Sequence, residues 1–404
     1  MATKMDVKSD FGIYDETPSF AYFDSASTTL VPKSSVNTTA AFLNSVVASA
    51  RRGAHRLAVR GSSIVETTRQ SLSRFLETDS ASISFQKSVP SAVASFVYGY
   101  NWKDSKRNKM IIAQSEENSV YVPMLRAAEV LHIDVEIAPI ENDGSVSLSL
   151  LDSLVDRRTG IVAVCHVVPG IGTKNSISEV AEIVHSHDAL LLTDSTRSMG
   201  LVEDSPVHLG SDILVFSANI GLMGPPGLAL QWINPSADRN HIPGILGGAT
   251  VSNVHKKEYD VAFQPDKYEP DYLNVPAIAG LDTSIDYLSR FRSNGLIKHL
   301  ARLSNHMRNR LNEIDGLTLY GAPKSETTIF GFNLGDVSQI GCHDVALFLD
   351  ESNIAVRSGL VCAHPLIQPM TQDGLVQVSL HGYNTIADIN HLVSTLDTIS
   401  QQLL

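Results

Sequence analysis

The sequence predicts an α/β fold: a large domain with a mostly parallel sheet, followed by a smaller α+β domain at the carboxyl end. Two observations predict it. Between about residue 80 and residue 235, short apolar runs alternate with longer amphipathic stretches, the pattern of strands joined by crossover helices. After about residue 265, a long helical pattern is followed by short apolar runs between further helices, which is typical of an α+β module.

Six apolar runs are predicted to be strands of the large sheet. They are nearly unbroken in hydrophobicity, as expected of strands that helices cover on both faces. The runs are KMIIA at 109–113, VEIAPI at 135–140, GIVAVCHV at 160–167, ALLLTDS at 189–195, ILVFSA at 213–218 and LALQWI at 228–233. The segment SEVAEIVHSHD at 178–188 has apolar residues at helical spacing and is predicted to be a crossover helix.

A change of character near residue 265 predicts a domain boundary. The Pro-, Asp- and Tyr-containing segment 263–276 precedes a long helical region at 280–314. The runs LTLYG, TIFGFNL, NIAVRSG and LVQVSL then supply the predicted strands of the smaller domain.

Composition narrows the classes of function. A chain of 404 residues can bury two or more cores. The net charge of −12, spread along the chain, leaves no basic stripe for nucleic acid and no polybasic membrane patch. The sequence shows neither a signal peptide nor an apolar run long enough to span a bilayer, so we expect a cytoplasmic protein. Three widely spaced cysteines predict neither a disulfide framework nor a metal site.

Several collinear motifs extend over nearly the whole chain from about residue 20. They are YFDSASTTLVP at 22–32, RRGAHRLA at 51–58, LLTDSTRSMG at 191–200 with LGSDILVFSANIGLMGPPG at 209–227, and FLDESNIAVRSGLVCAHP at 348–365. In this order the sequence resembles the SufS-type cysteine desulfurases of the class V aminotransferase family, within the fold-type I superfamily of pyridoxal-phosphate-dependent enzymes. The resemblance implies a seven-stranded sheet in the large domain and a homodimer with sites near the subunit interface.

The same resemblance implies a division of the chain and a chemistry. Residues 1–20 are expected to pack with the small domain, residues 21–265 to form the large domain, and residues 266–404 to form a linking helix and the small domain. In the family, pyridoxal phosphate stabilises a carbanion, and a cysteine on a mobile loop takes sulfur from the substrate as a persulfide.

Three family site residues are retained. Asp194, at the end of a predicted strand, matches the acid that keeps the cofactor's pyridine nitrogen protonated, although a strand-end carboxylate also caps helices. Ser217 matches a phosphate ligand. Cys362, between Arg357 and His364, matches the persulfide-forming cysteine, and the alternative is an inherited residue without chemistry. Cys165 and Cys342 are interpreted as packing residues, and His55 fits a structural role equally well.

The lysine that binds the cofactor in the family is missing. Asn219 and Ile220 stand where histidine and lysine are expected, and no lysine lies between Lys174 and Lys256. Imine formation requires a nucleophilic amine, which neither side chain has. Covalent attachment of pyridoxal phosphate at this position is therefore not expected, and non-covalent binding is left open.

Other expected ligands are also replaced. A Gly-Thr-Thr phosphate turn corresponds to 88–90, Ser-Val-Pro, where proline has no amide hydrogen. Tyr272 replaces a threonine that reaches across the dimer. Gln377 replaces the arginine that binds the substrate carboxylate.

Two replacements predict an internal contact. Glu117 stands at the position of the histidine that stacks on the ring, and Arg197 at that of a glutamine three residues after Asp194. We expect Glu117 and Arg197 to form an ion pair beside Asp194, in the space of the ring.

Three hypotheses remain open at this point. The first is a degenerate relative without cofactor chemistry, acting by binding or by carrying sulfur on Cys362 to an acceptor protein. The second is a sulfur-transfer enzyme or lyase that uses non-covalent pyridoxal phosphate or another ligand. The third is a regulatory subunit that pairs with an active desulfurase paralogue.

Overall fold

The computed structural model describes residues 7–103, 106–202, 206–324, 326–335 and 340–403. The strands in these ranges are β1 Ala21–Tyr22, β2 Ile83–Gln86, β3 Lys109–Ala113, β4 Asp134–Ala138, β5 Thr159–Ala163, β6 Leu190–Asp194, β7 Ile213–Ser217, β8 Ala229–Ile233, β9 Val251–His255, β10 Glu258–Val261, β11 Leu317–Leu319, β12 Ile329–Leu334, β13 Ile354–Ala355, β14 Arg357–Gly359 and β15 Leu375–Ser379.

The α-helices connect and cover these strands. They are α1 Ile13–Glu16, α2 Lys33–Ser45, α3 Arg56–Leu76, α4 Val89–Gly99, α5 Asn118–Leu131, α6 Leu148–Leu154, α7 Ile177–His185, α8 Pro235–Asp238, α9 Val275–Ser293, α10 Leu296–Leu311, α11 Cys342–Glu351, α12 His364–Ile367 and α13 Ile386–Leu403. None of the helices that the structure describes is long and apolar enough to cross a membrane.

The large sheet has seven strands in the order β2-β8-β7-β6-β5-β3-β4. Strand β8 is antiparallel to both of its neighbours, and the pairs from β7 to β4 are parallel. All six predicted apolar runs form strands of this sheet. Buried apolar clusters cover both faces, which explains why the central strands are nearly unbroken in hydrophobicity. The predicted α/β fold is confirmed.

The small sheet has the order β11-β12-β15-β14 and packs against α10, α11 and α13 through one apolar cluster. The long helical region predicted at 280–314 divides into α9 and α10. Gly295, with φ of 97°, precedes α10, and this left-handed conformation is one that glycine adopts without a steric penalty.

The amino-terminal segment contacts the small sheet's side of the molecule. Strand β1 pairs in parallel with β13, and Phe23 lies in the small sheet's apolar cluster. Lys8 forms an ion pair of 2.7 Å with Asp388 of α13. Residues 1–6 of the predicted segment lie outside the described residues, and the domain boundaries stay a prediction.

Strands β9 and β10 form an antiparallel hairpin that the sequence patterns did not predict. Most of its side chains are exposed. Apolar periodicity identifies a strand by its buried face, so a hairpin without a buried face gives little signal.

Candidate functional site

Asp194 ends β6 at the carboxyl edge of the large sheet, where parallel strands commonly present ligand-binding groups. The side chain is buried, and Oδ1 accepts a hydrogen bond of 2.8 Å from the amide of Thr196. Oδ2 has no hydrogen-bond partner in the described part of the chain. Burial, reinforced by the nearby Glu117 carboxylate, raises the pKa of Asp194 to about 6.

Arg197 lies in the turn after β6, and Glu117 immediately precedes α5. Their Nη1 and Oε2 atoms are 2.5 Å apart, and only 4% of the arginine side chain and 17% of the glutamate side chain are exposed. Burial alone lowers the pKa of Arg197, but the carboxylates of Glu117 and Asp194 outweigh it and raise the pKa. The predicted ion pair beside Asp194 is confirmed.

Glu116 and Cys165 lie near the carboxylate of Asp194. The sequence analysis did not select either of them as a site residue. Burial raises the pKa of Glu116 well above its usual range, and Asp194 adds to the effect. Burial also raises the pKa of the Cys165 thiol, whose Sγ lies 3.4 Å from the carbonyl of Ser115. Burial thus favours the neutral form of both groups. The only available signal for Glu116 was its adjacency to Glu117.

The amino terminus of α4 stands where the family has its phosphate turn. Ser88 caps it: the Ser88 hydroxyl accepts from the amide of Ser91, and the Ser91 hydroxyl accepts from the amide of Ser88. Pro90 has no amide hydrogen. The helix end thus satisfies its own donors and offers few to an anion.

The turn that follows β7 holds the two residues at the expected lysine position. The Asn219 carbonyl accepts hydrogen bonds from the amide and the hydroxyl of Thr29, and its Nδ2 donates to Thr28 at 3.1 Å. Ile220 is buried, and the amide of Ser217 donates to Thr196 at 3.3 Å. Asn219 therefore joins the large sheet to the amino-terminal segment.

Cys362 lies on the turn between β14 and α12, next to this edge of the sheet. Its carbonyl accepts a hydrogen bond of 2.8 Å from the amide of Asn118, the first residue of α5, and Asn118 Nδ2 lies 2.9 Å from His364 Nδ1. Val361 and Cys362 have φ of 42° and 58°, a conformation that β-branched residues such as valine rarely adopt. Such strain persists only where surrounding contacts enforce it.

Arg357 holds the sulfur of Cys362. Its Nη2 donates to Sγ at 2.9 Å, and its Nη1 donates to the hydroxyl of Ser27 at 3.2 Å. Gln377 on β15 pairs directly with Arg357 across the strands, and its Oε1 accepts from the amide of Gly170 at 3.1 Å. The retained thiol thus has a guanidinium in direct contact.

The other residues selected from the sequence have structural contacts. His55 caps α3 by accepting from the amide of Ala58 at 3.3 Å. Cys165 and Cys342 are buried in apolar clusters. The carbonyl of the half-exposed Tyr272 accepts from Lys87.

Comparisons with known proteins identify the family of the chain. The model of the family described as aminotransferase class V matches residues 21–392. The chain is similar to a protein of Methanothermobacter thermautotrophicus, named a probable cysteine desulfurase, with 30% identity over 383 residues and 94% of each chain covered. A protein of Escherichia coli named cysteine desulfurase is 28% identical over 408 residues, with 98% of each chain covered.

Solved structures show the same architecture. The cysteine desulfurase of Thermococcus onnurineus, solved in its apo form, superposes with a TM-score of 0.90 at 25% identity, over all of both chains. A cysteine desulfurase of Escherichia coli superposes with a TM-score of 0.87 at 21% identity over 98% of each chain, a likeness in fold.

Proposed function

The chain belongs to the aminotransferase class V family, and from this premise we propose that it is a cysteine desulfurase-like protein that holds no pyridoxal phosphate covalently and carries sulfur on Cys362. The buried ion pair between Glu117 and Arg197 is the observation that carries the proposal. By the resemblance, these two residues replace the family's stacking histidine and neighbouring glutamine, so a contact between them would occupy the space of the cofactor ring.

The remaining site residues also fit pyridoxal phosphate poorly. Neither Asn219 nor Ile220 has an amine for covalent attachment. The capping contacts of Ser88 and Ser91 use donors that a phosphate would need. No step of the proposed function therefore passes through the cofactor.

Sulfur carriage is supported by the surroundings of Cys362. A thiol that carries sulfur must be reachable and must attack as the thiolate. Cys362 is partly exposed, whereas Cys165 and Cys342 are buried. Its Sγ accepts a hydrogen bond of 2.9 Å from the guanidinium of Arg357.

Absorbance and turnover test the proposal together. Purified protein is incubated with pyridoxal phosphate, dialysed, and then given cysteine and a reductant. We expect a colourless protein and no sulfide above the level of the Cys362→Ser variant. A coloured protein that releases sulfide from cysteine would overturn the proposal.

One observation favours the second hypothesis, an enzyme that binds pyridoxal phosphate non-covalently. The buried Oδ2 of Asp194 lacks a partner among the described residues, and a protonated nitrogen would satisfy it. Reversible colour that dialysis removes, together with sulfide release in the presence of the cofactor, would support this function.

We further propose that the chain pairs with a second copy of itself. The exposed apolar side chains Val254, Tyr259 and Phe263 lie on or next to the β9–β10 hairpin, and 89% of Phe263 is exposed. Such groups commonly mark a protein interface. Sedimentation of the purified chain tests it: a dimer that Phe263→Asp dissociates is expected. A monomer that forms a dimer only with an active desulfurase would instead support the regulatory-subunit hypothesis.

A further inference from the structure

We propose that Cys362 receives its sulfur from a low-molecular-weight persulfide, and that Arg357 and Gln377 hold the transferred sulfur atom. This inference rests on the proposed function, because it names the substrate class of a carrier that lacks cofactor chemistry. It also assigns Gln377, which replaces a substrate-binding arginine, a role of its own.

The oxidation level of the sulfur determines the class of donor. To take sulfur from free cysteine, an enzyme must break a carbon–sulfur bond and needs an electron sink such as a cofactor ring. A persulfide already contains sulfur bonded to sulfur. The deprotonated sulfur of Cys362 attacks the outer sulfur of the donor, a new S–S bond forms, and the donor's S–S bond breaks. The donor leaves as a thiolate, and the outer sulfur loses its proton to solvent.

This exchange has no net oxidation or reduction and needs no further reactant. One S–S bond replaces another, and the product is Cys362 bearing a terminal sulfur with a negative charge. The site must therefore stabilise an anion one bond beyond Sγ. A reaction that makes persulfides must precede this protein, and a thiol acceptor must follow it.

Arg357 supplies the positive charge for that anion. Its Nη2 already contacts Sγ, and its Nη1 is held by Ser27. The Ser27 hydroxyl in turn donates to Oδ1 of Asp24 at 2.5 Å. This chain of contacts fixes the plane of the guanidinium, so the cation is in place before sulfur arrives.

Gln377 supplies an unused donor. It is fully buried, and Nε2 has no hydrogen-bond partner in the ranges that the structure describes. The amide of Gly170 can only donate, so the side-chain atom of Gln377 that it contacts must be the oxygen, and the remaining amide atom is the nitrogen Nε2. A buried donor without a partner is costly, and an anion in contact with it removes that cost.

Strand pairing places this donor on the same face of the small sheet as Arg357. Gln377 and Arg357 are opposite each other in an antiparallel pair, so their side chains lie on the same face of the small sheet. Gly170, which holds the amide, lies against the turn of Cys362: a Cβ added to it would meet Val361 Cγ2 at 2.9 Å. The amide of Gln377 thus lies on the same face as the guanidinium that contacts the thiol, and the residue that holds this amide packs against the turn that carries the thiol.

The test uses cysteine persulfide as the donor and the full chain without pyridoxal phosphate. After excess donor is removed, mass spectrometry measures how much Cys362 carries an added sulfur and how fast it is lost to a thiol acceptor. We expect the wild type to be loaded at Cys362. Arg357→Gln and Gln377→Met should lose the sulfur about tenfold faster, the effect of one hydrogen bond to a charged group.

Three further variants control the experiment. Arg357→Lys keeps the charge and should restore part of the lifetime, and Cys342→Ser, which changes a buried thiol of the small sheet's apolar cluster, should behave as the wild type. Ser27→Ala removes only the hydroxyl that holds Nη1 and should shorten the lifetime about threefold. It tests the role of Arg357 even if Gln377→Met fails to fold, as judged by circular dichroism.

The possible outcomes separate this inference from the proposed function. Loading from cysteine with pyridoxal phosphate would overturn the proposed function and this inference with it. A colourless protein, inactive with cysteine, that cysteine persulfide also fails to load at Cys362 would overturn this inference alone. Loss of sulfur at the wild-type rate in Arg357→Gln, Gln377→Met and Ser27→Ala would overturn the assignment of Arg357 and Gln377.

Discussion

Two buried arginine–glutamate pairs of this chain differ in how fully their polar atoms are satisfied. Arg69 binds Glu269 through both terminal nitrogens, and the guanidinium also donates to the carbonyl of Ile83 and to Glu66. Glu269 additionally accepts from Arg51 and from the amide of Phe85. The pair joins α3, β2 and the segment before α9, and every charged atom in it has a partner.

The pair at the candidate site is incomplete by comparison. Glu117 and Arg197 share a single contact, and Arg197 Nε and Asp194 Oδ2 have no partner among the described residues. Buried polar groups are normally satisfied, and the exceptions concentrate where proteins bind or react. The difference teaches that a buried ion pair can either complete a structural network or remain partly unsatisfied at a candidate ligand site.

The largest effect is expected at the satisfied pair. Glu269→Gln removes this charge and leaves the buried guanidinium of Arg69 with only the exposed Glu66 as a counter-charge. We expect a loss of about 3 to 5 kcal/mol in the free energy of unfolding, measured by urea denaturation at pH 7. A loss below that at the candidate site would break the comparison, because the completed network would then contribute less than the incomplete one.

A smaller loss is expected at the candidate site. Arg197→Met leaves Glu117 and Asp194 without their cation, but Glu117 is partly exposed and water can reach it. We expect a loss of about 3 kcal/mol under the same conditions. The matched control is Glu117→Leu combined with Arg197→Met, which removes both charges of the pair. It should recover most of the loss, since well-packed apolar residues often replace an ion pair without cost.

The smallest effect, and a gain, is expected from Asp194→Asn. The folded-state pKa of about 6 lies above the ordinary aspartate value of 3.8, so the folded state binds this proton more tightly than the unfolded state. The stability that this provides is fully present below about pH 4 and is lost as pH rises through 6. The variant should therefore be about 2 to 3 kcal/mol more stable than wild type at pH 8 and equal to it at pH 4. Urea denaturation across this range measures it, and a constant difference would refute the raised pKa.

Much of the fold could be predicted because its signals are local. The unbroken hydrophobicity of a run such as 109–113 predicts that it is buried. The spacing of apolar residues at 178–188 predicts which face of the crossover helix is buried. The Glu117–Arg197 contact could also be predicted, because the resemblance placed both residues around one ring position. Glu116 could not, since its charge gives no sign of burial until α5 and β6 pack together.

The sequence by itself determined the family, the order of strands and helices in the chain, and the absence of a lysine between Lys174 and Lys256. These follow from residue type and spacing along the chain. Only the tertiary structure decided that Gln377 lies beside Arg357, that Ser88 and Ser91 close the end of α4, and that Arg357 contacts the sulfur of Cys362. The physical reason is that strand register, helix capping and loop packing bring together atoms whose meeting no local pattern encodes.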